Sequence, residues 1–207
     1  MESAFRSQVD DQIFEASFTY ISCWHEREEE SETMWKAYGN PHGAIALRTT
    51  VGRLRTAIQF GLAERCRATP PNNPILVLGR VKYIDYQTER IPSFTNAEYL
   101  HKRKSFDAEK EVRAIVVAIP YAAHNNGTHH FPGMTPSTFE FDSSKEVVPG
   151  LVLPVSLHDL IQSVYISPLA PDWIVEPVVK TLTCFGLSDA ATRVKHSSLM
   201  RPPSYRK

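Results

Sequence analysis

No apolar run in this chain approaches the roughly 20 residues that a membrane-spanning helix needs; the longest runs are strand-sized, such as Ala114–Ile119. Cysteine is scarce. Cys23, Cys66 and Cys184 are far apart and form no C-x-x-C pair, which excludes a zinc ribbon, a thioredoxin motif and a disulfide framework. Three buried or half-buried thiols in a reducing compartment are expected instead. Net charge is also lacking: 23 Lys and Arg balance 23 Asp and Glu, so the broad basic footprint of a general nucleic-acid binder is absent. The chain has no P-loop, no G-x-G-x-x-G and no G-x-S-x-G elbow. The first eleven residues carry Glu2, Arg6, Asp10 and Asp11 and no apolar run, so no signal peptide is read there and a cytoplasmic location is expected.

What is present fits one α+β domain, residues 1–199, with a loop at 120–150 and a loose tail at 200–207. Phe5, Val9 and Ile13 suggest an amphipathic entry helix. Phe18–Trp24 is β-branched and aromatic and predicts a buried strand. Met34, Trp35 and Tyr38 are spaced as one helical face, and Ala44–Arg48 reads as a strand. Thr50 can cap a helix whose apolar face is Val51, Leu54, Ile58 and Leu62. Ile75–Tyr86 predicts one long strand, bulged at Gly79. Thr95–Glu98 has the form of a capping box opening a helix through about Phe106. Glu111–Ile119 predicts a central strand with Val112, Ala114, Val116 and Ile119 buried. Leu151–Val155, Val164–Ser167 and Thr192–His196 read as strands. Ser156–Asp159 opens a short helix, and Pro171–Phe185 is a helix that Pro177 kinks or delays and Gly186 stops. The sum is a mixed, mostly antiparallel central sheet with flanking helices.

Three groups of residues could carry chemistry. In a strand starting near Glu109, residues Glu109, Glu111 and Arg113 share one face, behind the basic run Lys102–Lys104. Such a face suits acid/base work or the stabilisation of a developing cation, and equally suits structural ion pairs. Trp24, His25, Met34, Trp35 and Tyr38 form an aromatic group beside the acidic run Glu26–Glu32. Aromatics with polar handles suit stacking on a flat ring, and helical spacing also suits core packing of Trp35 and Tyr38. His124, His129 and His130 lie in one polar loop without a carboxylate or cysteine at ligand spacing, so no metal is expected there.

Four ordered blocks, centred on Tyr20–Arg48, Gly79–Tyr86, His101–Ile115 and Leu160–Trp173, resemble the uncharacterised domain of unknown function 2971 family over about residues 18–199. The resemblance implies no activity. Members usually carry an N-terminal region before the Ser-Cys-Trp block, whereas about twenty residues precede it here, so a truncated, differently started or degenerate chain is expected. The order of the aromatic strand end, the Met-Trp-x-x-Tyr helix and the Glu-Val strand is also similar to ADP-ribosyltransferase domains. That likeness implies NAD as cofactor, Glu111 as the catalytic acid with Glu109, Arg113 and His25 near it, and Trp35 or Tyr38 stacking on nicotinamide; the first arginine or histidine of those domains has no counterpart here. The other expectation is a non-catalytic binding or interaction domain of a defence or mobile-element system. Convergence of Glu111, Arg113, His25 and Tyr38 on one pocket would favour the enzyme, and scatter would favour binding.

Overall fold

The computed structural model describes residues 13, 15–40, 43–68, 74–92, 96–119 and 147–200. The chain runs β1 (Thr19–His25), α1 (Glu32–Tyr38), β2 (Ile45–Arg48), α2 (Val51–Ala68), β3 (Ile75–Arg80), β4 (Lys82–Ile84), β5 (His101–Arg103), β6 (Glu111–Val117), α3 (Leu157–Leu160), β7 (Ser163–Ile166), α4 (Val175–Cys184), α5 (Ala190–Arg193) and β8 (Val194–His196). Single 3₁₀ turns lie at Glu98–Leu100, Lys104–Glu109, Asp172–Ile174 and Ser198–Met200. Among the described residues no helix is long and apolar enough to cross a membrane.

The α+β class holds, with two three-stranded sheets where one central sheet was expected. The first has the order β1-β6-β3 and is antiparallel throughout. The second has the order β2-β7-β8, with β2 antiparallel and β8 parallel to β7. A parallel pair, β4-β5, stands apart.

β6 is central because its inner residues are apolar on both faces, as a strand covered on both sides requires. Val112, Ala114 and Val116 are buried, and Ala114 and Val116 meet the stripe Leu54, Ile58 and Leu62 of α2. That stripe recurs at helical spacing, and Thr50 caps the helix by accepting a hydrogen bond from the Arg53 amide. A second cluster, Ile161, Val164, Leu187 and Ala190, packs β7 under α4 and α5. Gly186 ends α4 at φ +93°, a conformation that only glycine adopts at low cost.

Several expectations change. β1 is an edge strand whose middle residues are exposed, so it is not a buried strand. Ile75–Tyr86 splits at Val81, whose amide donates to the Glu111 carbonyl, and its two halves join different sheets. The helix through Phe106 is instead two 3₁₀ turns flanking β5, and Thr95 lies outside the described residues. Leu151–Val155 is extended without a ladder partner. Ile119 is half-buried and Val51 is exposed. Cys23 and Cys184 are exposed, not buried. Pro177 falls in the first turn of α4, so the helix starts late and has no internal break. Of the entry helix, Phe5 and Val9 lie outside the described residues, as do the loop histidines and most of residues 120–150.

Leu153 and Pro154 lie directly against the backbone of α2. A Cβ on Gly61 would sit 2.7 Å from the Pro154 carbonyl oxygen and 2.9 Å from Leu153 Cβ. Helix propensity alone makes Gly61→Ala stabilising by about 1 kcal/mol. The contact reverses the sign, and urea denaturation should show a loss of roughly 1–3 kcal/mol. A gain in stability would mean that the 151–155 segment does not pack there.

Candidate ligand-binding cleft

Alternation along β6 divides the site residues between two faces. Trp24 pairs with Val112 in the β1–β6 register, and both face α2. Cys23 pairs with Arg113 and His25 with Glu111, so these residues belong to the opposite face.

On the α2 side lies a cleft of about 680 Å³, within the range of small-molecule sites. Trp24 and Val112 border it from the first sheet, Met34, Trp35 and Tyr38 from α1, Arg48 from β2, and Tyr165 from β7. No residue of α1 is buried. Tyr38 is 66% exposed and Trp35 is half-buried, so the expectation that these rings anchor α1 in the core gives way to one in which they line a cleft. Both are tethered by their polar ends. The Trp35 indole N–H donates to Glu30 Oε2 at 3.1 Å, and the Tyr38 hydroxyl donates to Glu109 Oε1 at 2.8 Å. Burial opposes ionisation of Glu30, but donors from Ser197, Ser198 and Trp35 outweigh it and hold its carboxyl below the usual range.

Behind the sheet, Glu109, Glu111 and Arg113 do meet, together with Lys102. Lys102 Nζ bonds Glu109, and lies 2.7 Å from Glu111 Oε1. Arg113 Nε donates to Glu111 Oε2 at 2.6 Å, and its Nη1 donates to the Tyr99 carbonyl at 2.6 Å. Both oxygens of Glu111, a buried residue, are therefore taken by cations, while its amide donates to the Tyr83 hydroxyl. Burial opposes ionisation of Glu111, but bonds from Arg113 and Lys102 dominate and hold its carboxyl down at about 2. This arrangement is a satisfied ion cluster, and Glu111 and Arg113 do not line the cleft.

His25 stands between the two faces. It ends β1, borders the cleft, and its Nδ1 lies 2.5 Å from the Glu109 carbonyl oxygen. A carbonyl can only accept, so Nδ1 carries the proton. In the neutral ring Nε2 is then an acceptor; it is buried and has no partner among the described residues. Glu109 thus holds two cleft residues at once, His25 through its main chain and Tyr38 through its side chain. The next residue, Lys110, turns the chain at φ +41° and accepts the Glu26 amide.

Convergence is therefore partial: His25, Trp35 and Tyr38 share the cleft, Glu109 touches its wall, and Glu111 and Arg113 lie behind the sheet. Sequence reasoning passed over Arg48, Tyr165 and Glu30. Only Arg48 left a signal, as a cation closing a short apolar strand just before a helix cap. Among the described residues no group of His, Cys, Asp and Glu has the arrangement of a metal site.

Glu111→Gln should destabilise the fold by about 3 kcal/mol, because it leaves Lys102 and Arg113 without their shared anion. The sign with pH follows from the lowered folded value. The stabilisation is complete above the ordinary glutamate range near pH 4.5 and is lost as pH falls through about 2. Denaturation curves between pH 7 and 2 should therefore show a steeper acid loss for the wild type than for the variant, and parallel curves would refute the cluster. Long-range ¹H–¹⁵N spectra of His25 should show a proton on Nδ1; an unprotonated Nδ1 would refute the Glu109 contact. No family model, curated protein or solved structure matches this chain.

Proposed function

We propose that this chain is a ligand-binding domain that holds a flat heteroaromatic small molecule, of nucleoside type, in the cleft. One observation carries the reading: Trp24, Trp35 and Tyr38, from two different elements, border a single cleft of about 680 Å³, and two of the three rings are tethered by carboxylates. A ring whose rotamers are already restricted loses less entropy when a base stacks on it. Glu111, the carboxylate expected to be the catalytic acid, lies behind the sheet and not in the cleft, which favours binding over catalysis. The four blocks similar to the domain of unknown function 2971 family bring no activity with them and are compatible with this role.

A second reading, transfer of ADP-ribose from NAD, has one observation in its favour. The hydrogen bond from Tyr38 to Glu109 puts a carboxylate against the cleft wall. In that reading Glu109, not Glu111, is the acid nearest the substrate. Incubation of the wild-type chain with NAD decides it: release of nicotinamide that Glu109→Gln abolishes supports transfer, and no release rules it out.

The binding reading has a built-in reporter. Of the three tryptophans, Trp24 and Trp35 border the cleft, while Trp173 is 70% exposed and outside it. In a Trp173→Phe background, adenosine or guanosine should quench tryptophan emission saturably. Tyr38→Ala should weaken that binding roughly tenfold, within the range for loss of one base-stacking ring, and cost only about 1 kcal/mol of stability, that of its one hydrogen bond to Glu109. The absence of saturable quenching by any nucleoside would refute the proposal.

A further inference from the structure

The cleft lining also holds a group of different chemistry. Arg48 closes β2, is half-buried and borders the cleft. In the β2–β7 register Tyr165 stands opposite Ala46, so Arg48 and Tyr165 are diagonal neighbours on one face. Their contact, from Arg48 Nη1 to the Tyr165 hydroxyl, is 3.4 Å long and to a neutral group. Four arginines here are matched to carboxylates, Arg80 to Glu26, Arg113 to Glu111, Arg193 to Asp189 and Arg67 to Glu64, while Arg53 donates to main-chain carbonyls instead. Among the described residues Arg48 has no such anion. A guanidinium on a half-buried residue without a counter-charge is well suited to take an anion in a planar, two-donor contact.

Acidic residues also border the cleft, and their weight has to be set against this. Glu26 is neutralised by a two-point contact with Arg80, at 2.6 and 2.7 Å. Glu30 is engaged by Trp35 and Ser198. Glu28 and Glu29 are exposed, as is Arg27 between them and Glu26, so water and salt screen these charges at the mouth. Arg48 is less exposed than they are, so its field is less screened and acts more strongly on a bound ligand. The wall continues from Arg48 through Thr49 and Thr50 into α2, whose first turn holds no acidic residue to oppose an anion.

We infer that Arg48 is an anion-binding residue of this cleft, and that the ligand is a nucleotide, a flat ring joined through a sugar to a phosphate, in preference to the bare nucleoside. The volume has room for all three parts, where a single ring would fill a fraction of it. The inference rests on the base-binding reading above and adds the phosphate and the residue that selects it.

Matched pairs test it. Adenosine and AMP, and guanosine and GMP, are titrated by tryptophan quenching against the full chain carrying Trp173→Phe, then against the same chain with Arg48→Gln and with Arg48→Lys. A charge-assisted contact predicts that each monophosphate binds at least tenfold tighter than its nucleoside. Arg48→Gln should erase that ratio while leaving nucleoside affinity within about twofold, and Arg48→Lys should keep part of it, since it keeps the charge but loses the two-point geometry. Equal affinity for nucleoside and monophosphate in the parent chain overturns the role of Arg48 and leaves base binding intact. A ratio that survives Arg48→Gln in a variant with the parent melting temperature also overturns it. Binding of neither member of either pair overturns the base-binding reading, and this inference with it.

Discussion

The rest of this structure depends on the alternation of side chains along β6. Successive residues of a strand point to opposite faces, and both faces of β6 are buried, so a side chain on either face must be matched by what packs against it. Val112, Ala114 and Val116 take the face under α2 and supply the core. Glu111 and Arg113 take the other, where burial would be costly without Lys102 and the Tyr99 carbonyl. A shift of register by one residue would bring the charges under the helix and the valines against Lys102, so the pairing of β1 and β3 with β6 has essentially one acceptable solution.

The ion cluster holds more than β6. Its corner, Glu109–Lys110–Glu111, supports the ends of β1 and α1 from behind: the Glu109 carbonyl accepts from His25, the Glu109 carboxylate accepts from Tyr38, and the Lys110 carbonyl accepts from Glu26. Lys102 keeps Glu109 in place. The cluster and the cleft are therefore linked without sharing a surface. The charges of the cluster instead hold groups that line the cleft. Ordering of these side chains is part of folding, which under the binding role proposed above lowers the entropy cost of taking a ligand.

Much of this was legible in the residues themselves. The stripe Leu54–Ile58–Leu62 with its Thr50 cap, the apolar run ending β6, the late start of α4 with Pro177 in its first turn and the Gly186 stop all follow from local periodicity and backbone sterics. The shared face of Glu111 and Arg113 followed from the period of two, and Glu109 joined them through a 3₁₀ turn rather than a strand. Where local reading failed, a distant partner decided. Ile75–Tyr86 has the composition of one strand, and Val81 ends it by donating to Glu111, thirty residues on. Residues 101–103 lie in a helix-like pattern yet pair with β4. Trp35 and Tyr38 have core spacing, but the carboxylates Glu30 and Glu109 hold them at a cleft.

The sequence by itself determined the α+β class, the helical and extended segments with strong periodicity, the separation of charged from apolar residues on β6, and the aromatic group around Trp24 and Trp35. These depend on neighbours within a few positions, where the geometry of one helix or one strand is enough. Only the tertiary structure decided that the acidic face is sealed by Lys102 and Arg113, that the aromatic group opens onto a cleft, and that Arg48 and Tyr165 join its lining. Each of these depends on contacts between segments of separate elements, some more than a hundred residues apart, such as Arg48 with Tyr165. Whether a charge is neutralised or left available is set by what packs against it in space, and spacing along the chain does not encode that.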